Sequence, residues 1–276
     1  MKIQPSLFFT FVLICIITAC NKSADSYSVQ SNDQSNAGQK LPDSLVAWYT
    51  FDNSTKDQTS NHNDVVFNNA VPVAGKSGVP KTAYRFDGMS MYMAIPNSPS
   101  LQFKKITGMT IMAKFKITGF YTGPCHVNCI LQKGNDQGDG KFALRFDDGY
   151  YYKSDQCSKP VSPTHENVYG FWGDYKADVS EHDTSYLKKG TWYTIVWTTG
   201  PRTKGVANPI QADIYENGVY RGYNYNSAQF TNNSDSLYIG RMNDATYPYW
   251  FNGVIDEIRI YNKPLNHDAA LALSNQ

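Results

Sequence analysis

The sequence predicts an all-β domain built as a two-sheet antiparallel sandwich, with one short helix at its C-terminal end. Three observations carry that prediction. Short segments alternate apolar and polar side chains with a period of two, the pattern of a half-buried strand. Long polar loops separate them and no internal repeat is present, which suits a sandwich. The composition, with 20 Tyr and with only four Glu against twenty Asp, belongs to strands and loops rather than helices.

Residues 45–51 alternate Leu45, Ala47, Tyr49 and Phe51 against Val46, Trp48 and Thr50, and end in the turn-rich run DNSTKDQTSNHND. Strands are next expected at 83–86 and 91–95. The cleanest alternation is 109–117, where Met109, Ile111, Ala113, Phe115 and Ile117 line one face and Thr110, Lys114 and Lys116 the other. Met112 is the one apolar intruder there. Further strands are expected at 130–133, 142–147, 169–172, 191–198 and 237–241. Residues 212–216 and 219–223 flank Asn217-Gly218, a pair suited to a hairpin turn that needs positive φ at both central positions. Residues 251–261 form the last strand. Residues 266–274 are helical, with Asn266 as N-cap and Ala269, Leu271 and Leu273 following.

One residue of the last strand breaks the pattern. Strict alternation puts Val254, Asp256, Ile258 and Ile260 on one face and Ile255, Glu257, Arg259 and Tyr261 on the other, so an acid lands on the apolar face. An ionised carboxylate at the margin of a core needs hydrogen-bond donors or a cation. Two readings fit: an Asp at a strand edge bonded to loop amides, or a ligand to a hard cation such as calcium.

The N-terminal run MKIQPSLFFTFVLICIITAC has a basic start and an apolar stretch too short and wrongly flanked for a spanning helix, so residues 1–19 read as a secretory signal. The ending Ile17-Thr18-Ala19-Cys20 resembles the lipobox of bacterial lipoproteins, which implies that Cys20 is lipidated and becomes the mature N-terminus. Under the rule known for many Gram-negative bacteria, Asn21 in place of Asp implies the outer membrane, with lipid as the only membrane anchor. Residues 20–43 are polar and aperiodic and read as a tether about 25 to 30 Å long on average. Residues 44–276 are then one domain. Removing Lys2 with the signal leaves 24 basic against 24 acidic side chains (25 − 1 and 24), and no Lys/Arg run supplies the field that nucleic acid requires.

The segments LVAWYTFDN, AGKSGVPKTAYRFDG, SPSLQF, MTIMAKFKI, TWYTIVWTTG, IYENGVYRG, SLYIG and FNGVIDEIRIYNKPL, in this order, resemble the LamG-like (laminin G, concanavalin A-like lectin/glucanase) jelly-roll family. The resemblance spans residues 45–273. It implies a jelly-roll sandwich whose first and last strands lie together, and a structural calcium bound by the Asp256 carboxylate with carbonyls from Gly88 and from a residue near Asp52. Relatives with laminarinase-type chemistry present two Glu on one strand as E-x-D-x-x-E. Here Glu181-His182-Asp183-Thr184-Ser185-Tyr186 lacks the second Glu, and Glu166, Glu216 and Glu257 are dispersed, so catalysis is not expected.

Residues 70–77 almost spell a phosphate loop, but the first Gly is absent and Gly78-Val79-Pro80 stands where a helix should start. An exported chain favours a disulfide, and three mature thiols besides Cys20 leave one over. Resemblance to relatives with a bridged loop pair implies Cys125 with Cys157. The alternatives are a bridge that uses Cys129, or a zinc site at Cys125, His126 and Cys129, for which no fourth ligand is suitably spaced.

The remaining candidates are loop aromatics, because sugar C–H faces stack on flat rings while neighbouring Asp and Asn bond hydroxyls. They are Tyr150 to Tyr152, Trp172 with Tyr175, and above all Tyr247, Tyr249 and Trp250, flanked by Asn243, Asp244 and Asn252. The expectation is a lipid-anchored module that binds a glycan or glycoprotein without catalysis. An adhesion module with a protein partner is the alternative, and a glycoside hydrolase ranks third.

Overall fold

The computed structural model describes residues 44–103, 108–123, 127–134, 142–147, 167–172, 187–201, 210–226 and 233–276. The segments expected to be the signal and the tether, with Cys20, lie outside these residues. In chain order the strands are β1 (Leu45–Tyr49), β2 (Phe67–Asn68), β3 (Val71–Val73), β4 (Ala83–Asp87), β5 (Met93–Ile95), β6 (Met109–Ile117), β7 (Asn128–Lys133), β8 (Phe142–Asp147), β9 (Asn167–Trp172), β10 (Trp192–Pro201), β11 (Ile210–Glu216), β12 (Val219–Asn226), β13 (Leu237–Ile239) and β14 (Asn252–Tyr261), followed by helix α1 (His267–Ser274).

They form two antiparallel sheets, as the alternation implied. An eight-stranded sheet runs β12-β11-β10-β6-β14-β4-β3, with β1 also on β14, and a six-stranded sheet runs β2-β5-β13-β7-β8-β9. The core lies between them. Phe115 of the first sheet and Phe146 of the second stack with centroids 6.2 Å apart, and Phe251 meets both edge-on. These three rings and Trp197 are wholly buried, each stabilising the fold by roughly 1.5–3 kcal/mol. The Asn217-Gly218 turn has φ of 48° and 76°, and the Asn266 side chain accepts from the Ala269 amide at 2.9 Å, so hairpin and helix cap are as expected.

The closing strand departs from strict alternation. β14 pairs β6 along one flank, while its other flank is shared: residues 252–255 pair β4 and 258–261 pair β1. Opposite β6 the register shifts between Ile255 and Glu257, so Asp256 is the extra residue of a β-bulge. The bulge reverses the face assignment before it. Ile255 joins Ile258 and Ile260 in the core, and Val254 faces the other way, beside Lys116. Asp256 sits in the notch between β4 and β1 rather than on an apolar face. A second bulge, between Leu45 and Ala47, likewise turns Leu45 away from the core. Leu45 packs instead with Met112, Val196, Tyr215 and Tyr261 beneath Ala270 and Leu273 of α1. That helix explains the apolar intruder at Met112.

Polar side chains seal the exposed flank of β1. The Asp57 carboxylate, 6% exposed, accepts from the amides of Trp48 (3.0 Å), Thr59 (2.9 Å) and Asn63 (2.9 Å) and from the Thr59 hydroxyl (2.8 Å). On the outer face Glu257 accepts from Trp48 Nε1 (2.7 Å) and Arg259 Nε (2.6 Å) and pairs with Lys114 (3.3 Å). Burial pushes its carboxyl up, but the Arg259 and Lys114 charges outweigh that and hold it below the usual range. Phe67–Asn68 and Val71–Val73 escaped the sequence reading because two or three residues, one of them Pro72, carry no period.

After β4 the chain turns at Gly88, whose φ is 74°. Asp87 Oδ1 accepts from the amides of Met89 (2.9 Å), Ser90 (2.8 Å) and Met91 (3.0 Å). Although burial opposes it, these bonds lower the Asp87 pKa to about 2. The folded pKa lies below the ordinary 3.8, so the stability contributed is fully present above that value and disappears as pH falls through about 2. In acid titrations of thermal stability, Asp87→Asn should flatten the decline between the two values; a decline as steep as wild type would contradict this.

Candidate functional site

The six-stranded sheet carries a row of rings on its outer face. Register places Phe67 and Tyr238 on either side of Ala94, with Gln132 next to Tyr238. Tyr92, just ahead of β5, stacks on Phe67 at 4.6 Å and lies 5.9 Å from Tyr238 and 6.1 Å from Trp250. The Arg241 guanidinium lies over three of these rings, 4.8 Å from Trp250, 5.1 Å from Tyr92 and 5.7 Å from Tyr238. Sequence reasoning found Trp250 and missed Phe67, Tyr92, Tyr238 and Arg241. Phe67 and Tyr92, at β2 and just ahead of β5, reach Tyr238 and Arg241 of the β13 segment only through cross-strand register.

The loop between β13 and β14 is held from several sides. Gly240 donates to Ile130 O (2.9 Å), Met242 to Pro248 O (2.8 Å), Cys129 to Tyr249 O (2.8 Å) and Phe251 to Gly240 O (3.0 Å). Asp244 Oδ1 accepts from the Thr246 and Tyr247 amides at 2.7 and 2.8 Å, so this carboxylate shapes the loop. Asn243 is half-buried. Tyr247 is 40% exposed and Trp250 half-buried at the ring row. Tyr249, only 4% exposed and with φ of 46°, instead packs with Val127, Cys129, Ala143 and Met242 and lies 5.7 Å below the Arg145 guanidinium. Its expected role at a ligand surface is therefore corrected to packing. Trp172 pairs in register with Phe142, and Tyr175 lies outside the described residues.

A family model described as the concanavalin A-like lectin/glucanases superfamily matches residues 87–270. The chain belongs to that superfamily. Among solved structures, domain 4 of AbnA, an extracellular GH43 arabinanase from Geobacillus stearothermophilus in complex with arabinotriose, aligns with a TM-score of 0.56 and 17% identity, over 83% of this chain and 98% of that one. The binding domain of Paraclostridial Mosquitocidal Protein 1 aligns at 0.53 and 15% identity, over 84% and 52%. Trypanosoma rangeli sialidase in complex with sialic acid aligns at 0.54 and 15% identity, over 84% of this chain but 33% of the sialidase. At such identities the likeness shows the jelly-roll fold alone. No curated protein matches the chain.

The superfamily resemblance implied a cation shared by Asp256, Gly88 and the Asp52 region, and the geometry assembles only part of that set. Asp256, half-buried, accepts from the Lys76 amide through Oδ1 at 3.0 Å, and a Cβ on Gly75 would collide with that oxygen. Burial raises its carboxyl; the Lys76 bond and Lys114 oppose, while Glu257 and Asp52 raise it further. Asp52, just beyond β1, is itself raised by burial and by Glu257. Gly88 is elsewhere: its amide donates to Phe251 O, five residues from Asp256 along β14, or about 17 Å at strand rise. Gly88 is thus corrected out of the ligand set. Among the described residues no three His, Cys, Asp or Glu cluster as a metal site.

Cys129 is buried, with Sγ 3.9 Å from Gln132 Oε1, while Cys125 and Cys157 lie outside the described residues. So do Glu166 and the 181–186 segment. Glu216 pairs with Arg221 at 3.2 Å, and Glu257 is committed to its ion pairs.

Proposed function

We propose that the outer face of the six-stranded sheet binds carbohydrate or a glycoconjugate without catalysing a reaction. The observation that carries this reading is the row Phe67, Tyr92, Tyr238 and Trp250, placed beside water rather than in the core, with Tyr247 on the adjoining loop. Flat rings offer stacking surfaces to sugar C–H faces, and the polar groups of the loop offer hydrogen bonds. The arabinotriose complex of the similar arabinanase domain lends support to the ligand class. The lipobox-like end at Cys20 supports a lipid-anchored outer-membrane protein. Val66 (70% exposed), Met89 (72%) and Val71 (37%), at the short edge strands and the β4 turn, favour a second reading, adhesion to a protein partner.

A hard cation in the notch, held by Asp256 with Asp52 nearby, is the accompanying proposal; its support is a half-buried Asp256 carboxylate whose one hydrogen-bond partner among the described residues is the Lys76 amide on Oδ1. EDTA should then lower the melting temperature by a few degrees, and Asp256→Ala should abolish the difference. Chelation without effect on the wild type would leave the Lys76 amide as the carboxylate's whole support.

In affinity electrophoresis against a polysaccharide panel, the wild type should be retarded, with Trp250→Ala and Tyr247→Ala weakening binding about tenfold, or ~1.4 kcal/mol. No retardation by any glycan would sink the reading, and new reducing ends would replace it with hydrolysis.

A further inference from the structure

Arg241 occupies an unusual position for a cation. Its guanidinium lies among Trp250, Tyr92 and Tyr238, with centroids 4.8 to 5.7 Å away. A guanidinium carries five N–H donors in a fixed plane. Nε donates to Met242 O at 2.8 Å and Nη2 to Asp244 O at 3.4 Å, so the two carbonyls of the loop take one edge of the plane. The end-on edge, with one N–H from each terminal nitrogen, has no partner among the described residues. Nor does any carboxylate among them pair with Arg241. The carboxylate nearest in sequence, Asp244, is turned to the Thr246 and Tyr247 amides. A charge fixed by two carbonyls and by rings, beside the proposed sugar platform, is a preorganised donor fork without its acceptor.

We propose that Arg241 selects saccharides bearing a carboxylate, such as hexuronates, which it binds end-on while the sugar ring stacks on the neighbouring aromatics. The inference rests on the glycan-binding reading of this face. A planar carboxylate lies in the guanidinium plane and so fits between flanking rings, whereas a tetrahedral sulfate projects oxygens out of that plane. The interaction is a charge-assisted bidentate pair in a setting partly shielded from water, and it adds affinity without new apolar contact.

The test compares the full chain, Arg241→Gln and Arg241→Lys against three pairs of polymers: polygalacturonate with its methyl ester, dextran sulfate with dextran, and alginate with neutral xylan. Melting temperatures are recorded alongside, so that loss of a loop staple is separated from loss of a ligand contact. The wild type should bind polygalacturonate or alginate at least about tenfold more tightly than the neutral counterpart, with the preference shrinking as salt rises. Arg241→Gln should reduce acidic binding to the neutral level while neutral binding persists, and Arg241→Lys should recover only part of the preference. Equal wild-type affinity for acidic and neutral polymers, or a preference that survives Arg241→Gln, overturns the proposal and leaves the glycan reading standing. A preference for dextran sulfate alone overturns the carboxylate assignment. No binding to any of the six polymers removes the glycan reading and this proposal together.

Discussion

The structure depends on the shared flank of β14. Ten residues long and bonded on both sides, it holds β6 on one flank and, on the other, β4 and β1 end to end. The single extra residue at Asp256 makes room for that division. Its carboxylate reaches the Lys76 amide at the turn ahead of β4, and Glu257 next to it binds Trp48 of β1 together with Lys114 and Arg259. Segments 180 and 209 residues away from it in sequence are thereby fixed to one strand. Removing either partner of such a buried network costs more than the pair contributes, because the remaining charge stays desolvated.

The same strand positions the proposed ligand face. Phe251, immediately before β14, is locked among Phe86, Phe115 and Phe146, and Trp250 precedes it by one residue. The loop that bears Tyr247 and Trp250 thus leaves a fixed point in the core and is bonded to β7 along its return. Rings held in place before a ligand arrives lose little further entropy on binding. The two outer faces differ for a simple reason. Helix α1 covers Met112, Val196, Tyr215 and Tyr261 on the eight-stranded sheet, whereas the ring row of the six-stranded sheet remains next to water.

Alternation made most of the strands legible, and cap and turn chemistry made the helix and the hairpin legible. Bulges were not, because one inserted residue leaves the apolar pattern nearly intact while reversing the faces on one side of it. The carboxylate at Asp256, which strict alternation puts on an apolar face, is the mark of such a bulge. In the site, Tyr247 and Trp250 could be found as loop aromatics. Tyr249 could not be separated from them, since its positive φ turns the ring into the sheet. Gly88 shared a motif with the expected cation ligands but sits at the far end of β4. Phe67 and Tyr92 left no local signal, because the β2–β5–β13 register alone brings them to Tyr238 and to Arg241 three residues beyond it.

Chemical-shift mapping on the full chain tests most directly whether the outer face of the six-stranded sheet is the ligand surface. Short oligogalacturonates and neutral xylo-oligosaccharides would be titrated separately and the indole and amide resonances followed. The expected result is that the Trp250 indole N–H and the amides of Tyr92, Tyr238 and Arg241 move together, while the Trp48 and Trp197 indoles stay fixed. Shifts confined to the opposite face around Tyr220 and Tyr223, with Trp250 unmoved, would contradict it.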